Sequence, residues 1–381
     1  MMIGSIFPTL SSYCPKCDSI LVIDSIIKNK ANTNRIIDEI PLSDSKLTKP
    51  PADIITLKNL ELNGLASGGP NIFTGFVNRL TPLYILIQLI GTLQSNGIVE
   101  LEVVINNWKK QSQVTREALQ IVEVIHDARR GERLSDGFPT SDSEKTAPMQ
   151  IFLRNALGTD GRYISPDRGW LQKLGLVERI DSTTLRITEK ANPILGLADL
   201  KRIITNEEPR IEGNHPQLLV FIPEMIAENM LNIISDLMPD EYAWAIHILQ
   251  EIDIAQNESK LGWDSNHYAS VIVTYSANGQ ELPRWIYHDG VTSLYEMYLE
   301  KGYKFSLDKK RKAKKRVHNP ELFAQERLLS HVNSTLGGLL SRLKELGLIH
   351  PVRVGRAKNF LLTEFGKRII TNHITDRSEL I

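Results

Sequence analysis

A short motif rich in leucine occurs twice in the chain and limits the folds that the chain can adopt. The letters Leu-Gln-Lys-Leu-Gly-Leu-Val at 171–177 have a counterpart in Leu-Lys-Glu-Leu-Gly-Leu-Ile at 343–349. Each copy is followed by a polar stretch and then by an apolar run that ends in Thr-Glu, at 188–189 and at 363–364. Because the copies stand so far apart, they indicate a duplicated domain rather than a short-period repeat.

Each copy predicts a leucine-rich helix that ends at a glycine. Gly175 and Gly347 follow the last apolar residues of the helical pattern, and glycine takes the left-handed conformation that ends a helix at little cost. The first helix is expected to begin at Ser165, which is followed by a proline, and the second at Asn333 or Ser334.

A β-hairpin is expected after each glycine. Short apolar runs flank a polar turn in both copies, which is the usual signal for two antiparallel strands. The predicted strands are 177–180 with 184–188 in the first copy and 349–354 with 359–363 in the second.

A helix, a glycine stop, a hairpin and a second helix that opens on Thr-Glu-x-(Gly/Ala) resemble the winged-helix variant of the helix-turn-helix domain. The resemblance covers about 145–195 and 319–372. It implies that each glycine-terminated helix is a recognition helix and each hairpin a wing. The tandem arrangement is similar to the recognition portion of type IIS restriction and nicking enzymes, in which tandem winged helices read an asymmetric DNA site. Winged helices also serve as protein-docking modules.

The resulting fold class is α+β, mainly helical with small β-hairpins, and 381 residues suit two or three domains. A third helix-turn-helix is conceivable at 84–108. The predicted divisions are an irregular N-terminal module at 1–75, a helical domain at 76–135, a first winged helix at 145–200, a helical spacer at 210–300 with a short strand at 268–275, and a basic segment with a second winged helix at 301–375.

Charge is separated along the chain. Lysine and arginine number 45, as do aspartate and glutamate, so the formal net charge is zero. The segment 301–381 holds 18 of the basic and 7 of the acidic residues, which leaves 27 and 38 for the first 300. The C-terminal part is therefore where a polyanion such as DNA is expected to bind.

Candidate DNA contacts follow from this charge and from the resemblance. Lysine and arginine of the basic run and of the second wing would contact phosphates: Lys309, Lys310, Arg311, Lys312, Arg353, Arg356 and Lys358. Side chains expected on the exposed sides of the two recognition helices would face the bases: Ser165, Arg168, Gln172, Lys173, Ser334, Thr335, Arg342 and Lys344. Arginine pairs with guanine and glutamine with adenine, so Arg342, Arg168 and Gln172 are the sharper candidates.

Few residues suggest metal or enzyme chemistry. Cys14 and Cys17 have the spacing of a zinc knuckle, but a structural zinc site needs four ligands and the chain has no other cysteine. No cofactor is therefore predicted, and a zinc site completed by histidines or by a second chain is the alternative. Asp240, Glu258 and Lys260 match the letters of a magnesium-dependent nuclease centre, although the surrounding pattern is helical. No phosphate-cradling GxxxxGK[ST] occurs, so the sequence favours a protein that is not an enzyme.

The sequence thus predicts a sequence-specific duplex-DNA-binding protein that acts as the recognition component of a restriction, defence or mobile-element system, beside a nuclease or transposition protein. A transcriptional regulator, an interaction subunit of a larger complex and a divergent nuclease are the alternatives. The absence of a signal peptide and of a long apolar run predicts a cytoplasmic protein without a membrane partner.

Overall fold

The computed structural model describes thirteen parts of the chain: 72–73, 79–125, 133–139, 147–158, 169–195, 210–211, 219–220, 222–259, 262–279, 286, 293–307, 319–354 and 357–378. Within these parts the protein is mainly helical, with small antiparallel sheets, as the α+β class requires. The described residues divide into two units. Unit 1 holds those of Arg79–Ile233, and unit 2 holds residues 72–73 and those of Ile234–Ile381.

Unit 1 begins with a buried apolar helix. In order, its main elements are α1 (Thr81–Leu93), β1 (Ile98–Glu100), α2 (Leu101–Ile125), α3 (Ala147–Leu157), α4 (Trp170–Lys173), β2 (Val177–Arg179), β3 (Thr184–Ile187), α5 (Asn192–Leu195), β4 (Arg210–Ile211), β5 (Leu219–Val220) and the first part of α6 (Glu224–Leu237). Pro82 lies in the first turn of α1. Trp108 anchors the core, fully buried and stacked on Phe152 with ring centroids 5.1 Å apart.

Unit 2 contains longer helices. In order, its main elements after α6 are α7 (Pro239–Ser259), β6 (Trp263–Asp264), α8 (Ser265–Ala277), α9 (Leu294–Leu307), α10 (Pro320–Glu345), β7 (Ile349–Val354), β8 (Ala357–Leu362) and α11 (Glu364–Ser378). Its core includes the buried Trp244 and Tyr268. The Tyr268 ring packs against Trp263 with centroids 5.3 Å apart.

The two units share one sheet topology. Each has a three-stranded antiparallel sheet in which the strand closest to the N-terminus pairs with the last strand of the hairpin, in the orders β1-β3-β2 and β6-β8-β7. A left-handed glycine precedes that first strand in both units, Gly97 with φ of 79° and Gly262 with φ of 79°. The duplication therefore extends well beyond the repeated motif, to a helix, a strand and a second helix upstream.

The predicted third helix-turn-helix at 84–108 is not a separate copy. Its turn is present, with Asn96 at φ 54° before Gly97. However, β1, which follows this turn, pairs with β3 of the first hairpin, from Ile98 with Arg186 to Glu100 with Thr184. The segment is thus the upstream part of unit 1.

The predicted strand at 268–275 is wrong, because these residues belong to helix α8. The β-branched letters favour a strand locally, but Asp264 caps the helix by accepting the N–H of Asn266 at 2.9 Å. The buried residues Tyr268, Ile272 and Ser276 recur every fourth position, so the side that packs on the core has the helical period.

The predicted start of the second leucine-rich helix is also wrong. Helix α10 runs unbroken through Asn333 and Ser334 and begins at Pro320, where Asn319 accepts the N–H of Leu322 at 3.0 Å. The predicted hairpins are observed with strand ends that differ by up to two residues. The N-terminal module predicted at 1–75 lies outside the described residues except for Ile72 and Phe73.

Candidate functional site

The glycine that ends each leucine-rich helix is left-handed, with φ of 61° at Gly175 and 74° at Gly347. In both units the residue after the glycine donates its N–H to the carbonyl five positions earlier, at 2.9 Å. This is the Schellman arrangement, which satisfies carbonyls that a helix end leaves free. Both predicted glycine stops are confirmed.

A threonine fastens the hairpin to that glycine in both units. The hydroxyl of Thr188 donates to the carbonyl of Gly175, and that of Thr363 donates to the carbonyl of Gly347 at 2.6 Å. The N–H of each threonine bonds to the carbonyl of the residue after the glycine, at 3.1 Å in both cases. The repeated letters Leu-Gly-Leu and Thr-Glu therefore describe one local structure, in which a helix end and a hairpin end hold each other in place.

In unit 2 the threonine of this clamp, Thr363, also lies at the start of α11. Its hydroxyl oxygen accepts the N–H of Gly366 at 2.9 Å, which caps the helix. A Cβ on Gly366 would overlap the carbonyl oxygen of Leu348. Both copies have a small residue after Thr-Glu-x, and in unit 2 this close contact explains why the residue must be small.

The second hairpin is the longer of the two predicted wings. Its strands have six residues each, against three and four in unit 1. Arg353 and Lys358 are register partners near its tip. Arg356, in the predicted turn, lies outside the described residues, and so do Lys309, Lys310, Arg311 and Lys312 of the basic run.

The predicted exposure of three residues on the second recognition helix is wrong. Arg342 is 2 % exposed, Lys344 4 % and Thr335 8 %, because most of α10 after Ser334 is packed within unit 2. Buried side chains cannot reach base edges in this conformation. Ser334, in contrast, is exposed, and so are Ser330 and Asn333 on the same helix.

Arg342 is held in a buried ion pair. Its Nε lies 2.9 Å and its Nη2 2.5 Å from Oε1 of Glu241, which is 2 % exposed. Oε2 of Glu241 accepts the N–H of Phe73 at 3.2 Å, and the guanidinium lies over the Phe73 ring, 4.9 Å from its centroid. The arginine therefore connects α10 to α7 and to residue 73 instead of facing solvent.

The predicted start of the first recognition helix at Ser165 is wrong, because α4 begins at Trp170 and Gly169 before it is extended, with φ of −75° and ψ of 139°. Ser165 and Arg168 lie outside the described residues. Gln172 is half-buried, and its Oε1 accepts the N–H of Gly169 at 3.1 Å, so this side chain closes the first turn of α4. Lys173 is exposed, with its ammonium over the ring of Trp170, 4.4 Å from the centroid.

The predicted nuclease centre is incompatible with α7. Asp240 and Glu258 lie at opposite ends of this one helix, about 27 Å apart at 1.5 Å per residue. Two carboxylates must stand within a few ångströms of each other to hold one cation. Within the described parts of the chain, no cluster of three or more metal-ligating side chains occurs, and Cys14 and Cys17 lie outside them.

A buried polar pair on α7 has strongly shifted pKa values. Burial lowers the pKa of His247 to about 4 and raises the pKa of Glu251 to about 7. Burial also raises the pKa of Tyr268, whose ring lies 6.0 Å from that of His247. Each group is therefore favoured in its uncharged form inside unit 2.

Comparisons with models of protein families, with curated proteins and with solved structures return no match for this chain. Among the described helices, none combines the length and the apolar character needed to cross a bilayer.

Proposed function

We propose that the chain binds duplex DNA through two winged-helix units and is the sequence-specific recognition component of a restriction, defence or mobile-element system. The observation that carries the proposal is the repeated arrangement of a glycine-stopped helix clamped by a threonine to a hairpin, within two sheets of the same strand order. Such a clamp fixes a hairpin relative to a helix, which a two-part DNA contact requires.

Charge favours unit 2 as the main phosphate-binding part. The hairpin letters from Arg353 to Lys358 include three basic residues, and the run 309–316 precedes α10. Phosphate contacts from lysine and arginine supply most of the affinity of such proteins for DNA.

Base reading is assigned to the exposed residues in the middle of α10. Because Arg342 and Lys344 are buried, the amide of Asn333 and the hydroxyl of Ser334 are better placed, since both residues are exposed. Asparagine can bond in a bidentate manner to adenine. We therefore expect α10 to read adenine through Asn333, and not guanine through Arg342 as the sequence suggested.

A salt titration tests the phosphate contacts. We expect the logarithm of the duplex association constant to fall linearly with the logarithm of salt concentration, by about 0.9 per phosphate contacted. Replacing Arg353 and Lys358 together by glutamine should lower this slope by about 2 for duplexes of any sequence. Replacing Lys304, which pairs with Glu300 on α9 at 2.6 Å, removes a charge elsewhere in unit 2 and serves as the control. An absence of duplex binding at low salt would refute the proposal, as would an unchanged slope in the hairpin variant.

A selection of bound sequences from random duplexes tests specificity. Since the two units differ in sequence, we expect one asymmetric motif, and Asn333→Ala should relax the preference at one base pair by about 1–3 kcal/mol. If no sequence is enriched, the protein is not a sequence-specific reader. If a palindrome is enriched, two copies of the chain bind together and the two units do not read separate half-sites.

A further inference from the structure

A cleft of about 440 Å³ lies between α9 and α10. We call it the α9–α10 cleft and define it by Tyr298, Lys301 and Phe305 of α9 and by Phe323, Arg327 and Ser334 of α10. The volume falls within the range of small-ligand sites, roughly 300–1,000 Å³. The cleft belongs entirely to unit 2.

Helical spacing aligns these side chains in two facing rows. On α9 they recur after three and four residues, and on α10 Phe323 and Arg327 are four residues apart, so each row occupies one side of its helix. The rows meet where the rings of Phe305 and Phe323 pack edge to face, with centroids 5.7 Å apart and planes at 80°.

Cations and aromatic rings are paired within the cleft. The guanidinium of Arg327 lies 5.3 Å from the centroid of Phe323, and the ammonium of Lys301 lies 5.5 Å from that of Tyr298. The three rings are half-buried, whereas Lys301 and Arg327 are exposed. The rings thus hold the two cations at the cleft while leaving them accessible.

No carboxylate lines the part of this cleft that the structure describes. Glu300, next to Lys301 in the chain, forms an ion pair with Lys304 at 2.6 Å and interacts only secondarily with Lys301. Among the described ion pairs, none involves Lys301 or Arg327. The cleft therefore combines a positive potential with apolar walls, which suits a ligand that has both an anionic group and a flat apolar ring.

We propose that the α9–α10 cleft binds one nucleotide of single-stranded DNA, with the base packed against the aromatic rings and the phosphate bound by Lys301 and Arg327. Stacking of bases on aromatic side chains beside cations is the general mode by which proteins hold unpaired strands. The base must be unpaired to enter between two helices. This activity is thus additional to the duplex binding proposed above and does not rest on it.

The test is binding of a fluorescein-labelled oligo(dT) to the full chain, followed by anisotropy at low salt. Loss of one stacking or cation contact should weaken binding about tenfold. We therefore expect a tenfold weaker affinity for Arg327→Gln and for Phe323→Leu. Lys304→Gln, which makes the same charge change outside the cleft, should alter the affinity less than twofold. Free deoxythymidine monophosphate should compete with the labelled strand.

Several results would overturn the proposal. One is equal weakening by Lys304→Gln and Arg327→Gln, which would mean that only net charge matters. Another is wild-type affinity in both cleft variants. Stronger competition by phosphotyrosine than by the mononucleotide would assign the cleft to a phosphopeptide. Arg327 is exposed, so Arg327→Gln keeps the test valid if Phe323→Leu fails to fold. Duplex binding by the variant with glutamine at both Arg353 and Lys358 tests the proposed duplex recognition separately.

Discussion

Replacement of Arg342 by methionine should destabilise unit 2 rather than change DNA preference. Methionine keeps most of the apolar stem but removes the guanidinium that pairs with Glu241. The carboxylate, 2 % exposed, then retains the N–H of Phe73 as its hydrogen-bond donor among the contacts described. Removing one partner of a buried ion pair costs about 3–5 kcal/mol. The total free energy of unfolding of a domain is about 5–15 kcal/mol, so this loss would be a large fraction of the stability of unit 2.

The assay is urea unfolding followed by tryptophan fluorescence. A denaturant slope of about 1–3 kcal/mol per molar converts the expected loss into a fall of at least 1 M in the urea midpoint. Arg327→Met is the matched control, because Arg327 lies on the same helix and also stacks on a phenylalanine, 5.3 Å from its centroid, but is exposed. The control should change stability by less than about 0.5 kcal/mol.

A double variant tests the electrostatic cause. In Arg342→Met, the further change Glu241→Gln removes the uncompensated buried charge and keeps an oxygen that can accept the N–H of Phe73. The double variant should therefore be more stable than Arg342→Met alone by about 2 kcal/mol. Two results would refute this reasoning: a single variant within 1 kcal/mol of the wild type, or a double variant that is less stable than the single one.

Two further predictions concern packing and pH. Gly366→Ala should lower the free energy of unfolding by at least about 1 kcal/mol, because its Cβ would overlap the carbonyl of Leu348. Gly337→Ala, at an exposed helical position with nothing within 4 Å, should raise the free energy of unfolding by about 0.5–1 kcal/mol. Urea unfolding measures both variants, and a lower free energy of unfolding for both would contradict the steric argument. The lowered pKa of His247 makes stability rise with pH between about 4 and 6.5, whereas the raised pKa of Glu251 makes it fall between about 4.5 and 7. Relative to the wild type, the stability of Glu251→Gln should therefore rise more with pH over this range, and the stability of His247→Gln should fall more. Identical profiles of stability against pH for the two variants would refute these assignments.

Much of the repeated motif could be predicted from the letters alone. Gly175 and Gly347 end their helices as predicted, and hairpins follow them. The bonds that make these structures join residues five positions apart or neighbouring strands of one hairpin. Local backbone preferences dominate such contacts, so a short stretch of sequence contains most of the information.

The candidate site was much less predictable. Helical periodicity placed Arg342 among the polar positions of α10, yet its partner Glu241 is 101 residues away. The α9–α10 cleft was missed, although the spacing of Phe323 and Arg327 on α10 is visible in the sequence. That spacing acquires meaning only when α9 is known to lie opposite, because a cleft belongs to two helices and not to either one.

Residue letters alone were enough to identify the duplication, the glycine stops, the hairpins and the concentration of positive charge in the last part of the chain. Each of these depends on residue type and on short-range spacing. The folded chain was needed to show that Arg342 is enclosed, that 268–275 is helical and that β1 completes the first sheet. Burial and strand pairing depend on segments distant in the chain, and the energy of packing against them exceeds local conformational preference.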